Sequence, residues 1–322
     1  MRFAAFGRTQ VFHSTIRLLA EAGHKPVLIG TARAAPEYTK VEADFETLAD
    51  LYGCPFFSQS TVSLPALRGL VSESAADVCI SINWPTLITP DTIALFSHGV
   101  INAHAGDLPR FRGNACPNWA ILIGESSMTI TLHKMDSSLD SGPVLLQQSV
   151  EIQSNTHIGD LYRAVEMMVP PMYVTVLNGL ESGTTIERPQ SNEIPLRCLP
   201  RRPVDSLIDW SNSATHIDRL IRASSEPFAG AFSYLEGTLV RIWRCSLVPK
   251  AQDFLGIPGQ VIAIDGTKGS VEILCGQGSI KILEMSLDYG ERLSARAVIR
   301  STRQRLGLDV FDLSHRLQFG LK

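Results

Sequence analysis

The sequence predicts an α/β protein: a mostly parallel sheet covered by helices on both faces, followed by a smaller antiparallel β barrel. Three observations carry this reading. From Arg2 to His104 short apolar runs alternate with amphipathic stretches, a β-α rhythm that implies parallel strands joined by crossover helices. Residues 183–204 carry Gly183, Pro189, Pro195, Pro200 and Pro203 with few apolar neighbours, the composition of a linker. Beyond it, short β-rich runs are separated by Gly or Asp-Gly turns such as Glu236-Gly237 and Asp265-Gly266, as in small barrels.

Each element has its own justification. Arg2 to Phe6 is a short apolar strand, and Thr9 to Ala22 shows helical spacing through Val11, Ile16, Leu18 and Leu19 until Gly23 stops it. Lys25 to Gly30, Pro55 to Ser58, Val78 to Asn83 and Gly99 to His104 read as further strands. Val41 to Tyr52, closed by Gly53, reads as a helix, as do Leu64 to Val71 and Pro90 to Phe96. Pro117 to Ile123 continues as a helix, with strands at Met128 to Met135 and Val144 to Ile152. The stretch from Thr156 reads as two helical pieces, because Pro170-Pro171 removes backbone donors and crowds the preceding turn. After the linker, Ser213 to Ala223 makes an amphipathic helix through Ile217, Leu220 and Ile221. Strands follow at 230–235, 239–248, 259–264, 271–274 and 279–285, and an arginine-rich helix over 295–306 comes last.

The totals narrow the class. A chain of 322 residues corresponds to about two domains. Its net charge of −3 gives no general attraction for nucleic acid or membranes. No apolar run approaches the roughly 20 residues needed to span a bilayer, and the opening Met1–Gly7 is too short for a signal peptide. Six scattered cysteines without a CxxC pair fit reduced thiols in the cytoplasm rather than a disulfide scaffold or a zinc site. Phe6-Gly7-Arg8-Thr9 follows a strand but lacks GxGxxG, which argues against dinucleotide binding.

The most informative segment is 102–142. Asn102 and His104 lie two apart at the end of a strand, so their side chains share a face. Asp140 arrives from a second loop, and loops at the carboxyl ends of strands are where open α/β sheets react their ligands. Attack of an amine on a carbonyl carbon needs a donor for the oxyanion, a group to move the proton, and a charge to orient that group. An amide, an imidazole and a carboxylate supply these without a metal or covalent nucleophile. On the pattern alone two readings stand: a reaction centre, or a satisfied strand-end histidine with Asn102 and Asp140 as turn and capping residues. His133 reads as a core or supporting residue, and Cys116 as an inert small side chain.

The stretches Asn102-Ala103-His104, Leu108-Pro109-Arg110-Phe111-Arg112-Gly113, Pro117-Asn118-Trp119-Ala120, Thr131-Leu132-His133 and Leu139-Asp140-Ser141-Gly142 closely resemble the folate-dependent formyltransferases. A second block, Arg201-Arg202-Pro203, Ile208-Asp209-Trp210 and Pro227 to Phe232, resembles the start of that family's C-terminal OB-like domain, especially in the lipid A aminoarabinose pathway. The resemblance implies a Rossmann-like catalytic domain over 1–185, a linker over 186–204 and an OB-like domain over 205–322. It implies Asn102, His104 and Asp140 as the catalytic trio and 10-formyltetrahydrofolate as the formyl donor. The donor's pterin would be held by the loop with Asn83, Trp84, Leu87 and Ile88, largely through backbone groups, with Arg112 and Gly113 at the mouth of the site. The chain departs from the family at Gly106-Asp107, where members often have Ser-Leu, and at Cys116.

The acceptor is read from what is missing. Members directed at tRNA carry a basic, glycine-rich insertion after the second strand, whereas residues 31–42 here are short and near neutral. A small-molecule amine on a nucleotide-linked sugar is therefore expected, rather than tRNA. Hydrolysis of the donor, methionyl-tRNA formylation and a non-catalytic folate- or nucleotide-binding role are the alternatives. Arg8 reads as a loop arginine within reach of an acceptor phosphate, and Arg292, Arg296, Arg300 and Arg303 as a solvated helix face or an anion site.

Overall fold

The computed structural model describes residues 1–36, 38–62, 65–191, 196–248, 254–308, 314 and 318. It forms two compact units, one of Met1–Pro117, Ser126–Ile152 and Asp160–Pro200, the other of Asn118–Glu125, Gln153–Gly159 and Arg201–Lys322. In chain order the elements up to the second unit's main segment are β1 (Arg2–Gly7), α1 (Thr9–Glu21), β2 (Lys25–Thr31), α2 (Glu42–Tyr52), β3 (Phe56–Ser58), α3 (Pro65–Ser74), β4 (Val78–Ile82) and α4 (Pro90–Ile93). They continue with β5 (Val100–His104), β6 (Arg112–Gly113), α5 (Cys116–Ile123), β7 (Ser127–Lys134), β8 (Val144–Glu151), α6 (Ile158–Glu181) and β9 (Arg197–Cys198).

The α/β reading holds. The first unit's sheet has the order β3-β2-β1-β4-β5-β7-β8, parallel from β3 through β5 and antiparallel at β7 and β8. Phe3, Ala4, Ala5 and Phe6 of β1 are fully buried at its centre, which is why this strand is an uninterrupted apolar run. The order reverses between β1 and β4, and such a switch point opens a crevice at the carboxyl ends of the strands. Ser81 pairs with Asn102 and Ile82 with Ala103, so the loop that starts at Asn83 leaves the sheet beside the Asn-x-His strand end.

Pro170 and Pro171 do not divide α6, contrary to the expectation of two pieces: one 24-residue helix contains both. The apolar face supplies the reason. Val169, Met172, Tyr173, Val176 and Leu177 are all buried, so packing on both sides of the pair outweighs the missing donors. The Tyr173 hydroxyl lies 2.9 Å from the carbonyls of both Ser81 and Ile101, tying α6 to β4 and β5 just below the strand ends. Tyr173→Phe is expected to lower unfolding free energy by about 1 to 3 kcal/mol, read from urea midpoints at constant m-value.

Part of the stretch read as a linker is built into the first unit. Arg188 and Val144 exchange backbone hydrogen bonds of 2.9 and 2.8 Å, and β9 pairs in parallel with β6.

The second unit contains α7 (Ala214–Ser224), β10 (Ala231–Leu235), β11 (Thr238–Leu247), β12 (Val261–Ile264), β13 (Val271–Leu274), β14 (Ser279–Leu287), β15 (Leu293–Ser294) and α8 (Ala295–Val298). Ser213 caps α7 by accepting from the His216 backbone N–H. The antiparallel order is β10-β11-β14-β13-β12, with β15 on β14. The expected arginine-rich helix over 295–306 is corrected to the four residues of α8. Downstream of it, Gln304 accepts from Val261 N–H, and Leu306 and Gly307 donate to Gly259 and Tyr234. These residues bridge β10 to β12 and bring the sheet's edges together as a barrel requires, and satisfying two open edges outweighs helix propensity. Of the four arginines only Arg296 lies in α8: it donates to the Ile299 carbonyl, while Arg292, ahead of the helix, stacks on Trp243 at 3.8 Å. Among the described residues no helix is long and apolar enough to cross a membrane.

Candidate active site

The site begins with strand parity. Asn102 and His104 project from the same face at the end of β5, and antiparallel pairing places His133 of β7 opposite Asn102. Asp140 sits in the β7–β8 connection with φ of +51°, a left-handed conformation that a short polar side chain tolerates. Two features hold this turn. A Cβ on Gly142 would lie 2.0 Å from the Lys134 carbonyl oxygen, so no other residue fits. Gln190 donates to the carbonyls of Asp140 and Gly142 at 2.8 Å each, while its own oxygen accepts from Arg112 at 3.1 and 2.6 Å.

The carboxylate of Asp140 is thereby placed between two imidazoles. Oδ2 lies 3.7 Å from His104 Nδ1 and accepts from the Gly113 N–H at 2.9 Å. Oδ1 lies 3.7 Å from His133 Nε2, which in turn is 3.2 Å from Asn102 Nδ2. The two rings stand nearly perpendicular, with centroids 6.3 Å apart. His104 Nε2 is 2.6 Å from the Phe111 carbonyl. A carbonyl only accepts, so Nε2 carries the proton and the lone pair of neutral His104 is on Nδ1, facing Asp140. Burial, then the charge of a protonated His104, lowers the His133 pKa to about 4. Burial foremost pushes the Cys116 thiol well above the usual range, so Cys116 stays a neutral donor to Phe111 O at 3.0 Å.

The turn before the site explains Gly106. A Cβ there would sit 2.4 Å from His104 Nε2 and 2.5 Å from Phe111 O. Thr131 Oγ1 donates to the Gly106 carbonyl at 2.7 Å, and Gln147 Nε2 donates to Leu108 O and Thr131 Oγ1 at 3.1 Å each. The departure from the family pattern at 106 is thus coupled to the position of His104.

The structure brings Asn102, His104 and Asp140 together, with Gly113 bonded to Asp140 and Arg112 one residue removed through Gln190. The loop after β4 divides. Asn83 has φ of +54° and donates from Nδ2 to the Tyr38 hydroxyl at 2.7 Å. Trp84 packs on Phe6 and Phe57 at centroid distances of 5.7 and 6.4 Å, and its buried Nε1 has no partner. Ile88 is buried in the same apolar cluster, whereas Leu87 is 72% exposed. Sequence reasoning missed Gln190 and the Phe111 carbonyl. A lone glutamine in a proline-rich stretch and a backbone oxygen carry no sequence signal.

Comparison with known proteins decides the family. A model described as Formyl transferase matches residues 1–177, and one for the Formyl transferase C-terminal domain matches 202–303. The chain belongs to the formyl transferase family. This formyl transferase is 28% identical over 311 residues to the methionyl-tRNA formyltransferase of Pelotomaculum thermopropionicum, covering 96% of this chain and 98% of the relative. Among solved structures it resembles an N-formyltransferase from Helicobacter canadensis in complex with folinic acid and dTDP-3-aminofucose, with a TM-score of 0.62 and 14% identity over 87% of this chain and 98% of that one. HypX from Aquifex aeolicus in complex with tetrahydrofolic acid gives a TM-score of 0.59 and 20% identity over 93% of this chain. This formyl transferase spans about half of the HypX chain, 47%. The family's formyl donor is 10-formyltetrahydrofolate.

Proposed function

We propose that this enzyme passes the formyl group of 10-formyltetrahydrofolate to a primary amine of a small, nucleotide-linked amino sugar. One observation carries the reading: the Asp140 carboxylate stands between His104 and His133, with the Asn102 amide against the same cluster. The unpartnered Nε1 of Trp84 is compatible with a polar heterocycle, and Trp84, Asn83 and the backbone of their loop would hold the folate. When bound, the folate supplies the formyl carbonyl. Asn102 donates an amide N–H to the carbonyl oxygen as negative charge builds there. His104 takes the proton of the attacking amine on Nδ1, the resulting imidazolium lies between Phe111 O and the Asp140 carboxylate, and His104 returns that proton to the donor's departing nitrogen as the old formyl C–N bond breaks. The cluster's enclosure strengthens each of these interactions relative to water.

The acceptor reading rests on the short segment after β2. Lys40 is already engaged with Asp44 at 2.9 Å, and Arg8 stacks on the Tyr38 ring at 5.4 Å while donating to Asn83 and Arg33 carbonyls. The described residues of this segment thus offer little to neutralise a polynucleotide, while the guanidinium N–H groups that Arg8 does not spend on those two carbonyls can still pair with a diphosphate. The full-length match to a methionyl-tRNA formyltransferase favours tRNA as the second reading. A panel of nucleotide-linked amino sugars and methionyl-tRNA, each with 10-formyltetrahydrofolate, separates them by mass. The expected result is one added formyl group on an amino sugar. Formylation of methionyl-tRNA alone, weakening steeply with salt, overturns the acceptor, and formate release without any amine overturns transfer itself.

A further inference from the structure

One side chain at the reaction centre has no part in the steps above. His133 is buried in β7, directly opposite Asn102. Its Nδ1 lies 2.8 Å from the Lys134 carbonyl. Because that oxygen can only accept, Nδ1 carries the ring proton, and neutral His133 presents a lone pair on Nε2. Two groups face the lone pair: Asp140 Oδ1 at 3.7 Å and Asn102 Nδ2 at 3.2 Å. The carboxylate is an acceptor and cannot satisfy it. The amide nitrogen can.

This matters because a primary amide is nearly symmetric in shape. Packing alone scarcely distinguishes its NH₂ from its oxygen, yet only the NH₂ can stabilise an oxyanion. Rotating the Asn102 amide by half a turn would set its oxygen against the Nε2 lone pair, so the ring selects one of the two orientations. In that orientation one N–H is spent on His133 and the second is left for the substrate.

We propose that His133 is a positioning residue: its Nε2 lone pair fixes the orientation of the Asn102 amide so that a free N–H faces the carbonyl under attack. This rests on the formyl-transfer reading for its kinetic consequence, but not for its geometry. A residue of mere packing would serve equally in either amide orientation, and the test is built on that difference.

His133→Met replaces the nitrogen lone pair by a thioether that accepts only weakly, at similar bulk, and His133→Gln retains a strong acceptor in its side-chain oxygen. Each is made in the parent and in an Asn102→Ala background. The expected result is a fall in kcat of about 10- to 100-fold for His133→Met in the parent, with the folate KM within about twofold, and partial recovery in His133→Gln. In the Asn102→Ala background the same change costs less than about twofold, because the amide it acts through is gone. Equal losses in both backgrounds, or parent-like kcat in His133→Met, overturn the proposal. ¹⁵N NMR of the parent supplies a readout that needs no acceptor: protonated Nδ1 and unprotonated Nε2 at neutral pH are expected. In the folded His133→Gln and His133→Met proteins the Asn102 side-chain NH₂ signal is expected to move, least in the former. An Nε2–H tautomer, or an unmoved amide signal, overturns the assignment of His133 even if formyl transfer is established; absence of transfer in the parent overturns only the reaction.

Discussion

Alanine at position 102 is expected to lower kcat by about 100- to 1,000-fold while leaving the KM for 10-formyltetrahydrofolate nearly unchanged. The split follows from where Asn102 lies. Its side chain bonds within the His133–Asp140 cluster, whereas the loop proposed to hold the folate packs separately through Trp84 and Ile88 on Phe6 and Phe57. Removing the amide therefore takes away a donor that strengthens as the oxyanion forms and spares the contacts that hold the ground state. Steady-state kinetics with saturating amine checks both numbers. A comparable rise in KM at constant kcat would make Asn102 a binding residue instead.

Gly106→Ser is the second large effect. The added Cβ would press on His104 Nε2 and on a backbone oxygen, at 2.4 and 2.5 Å. The backbone cannot yield easily, because Phe111 holds a left-handed φ of +55° and the neighbouring turn is bonded to Thr131 and Gln147. The ring must leave the Phe111 carbonyl, which frees it to take the other tautomer and to turn its lone pair from Asp140. We expect kcat to fall by about 100-fold and unfolding free energy by about 1 to 3 kcal/mol. Gly69→Ala is the matched control: in α3 a Cβ at that position meets nothing within 4 Å, and the helix gains stability of about 0.5 to 1 kcal/mol. Parent-like kinetics in Gly106→Ser would break the link between this glycine and the histidine.

Much of the fold was legible because periodicity is a local property. The buried run of β1, the amphipathic spacing of α1 and the Gly53 stop of α2 each follow from residues within one element. Failures occurred where a distant partner decided. Pro170-Pro171 is tolerated because the buried face of α6 extends past it, and Gln304 to Gly307 extend because two barrel edges need partners. The site divides in the same way. Asn102 and His104 could be paired from strand parity, and Asp140 from the family motif. Gln190 and the Phe111 carbonyl, which hold those groups in place, act across 50 and 7 residues of sequence respectively. Gly106 is visible in the sequence as a departure from the family, with no local sign of its bearing on His104. Only the distance to His104 shows what it spares.

The most direct measurement is single-turnover transfer from 10-formyltetrahydrofolate to saturating amine in Asp140→Asn, with the parent alongside. The substitution keeps shape and an oxygen for the Gly113 N–H, but removes the charge facing His104 Nδ1. The account predicts a rate at least about 100-fold lower with unchanged circular dichroism. Transfer at the parent's rate would contradict it.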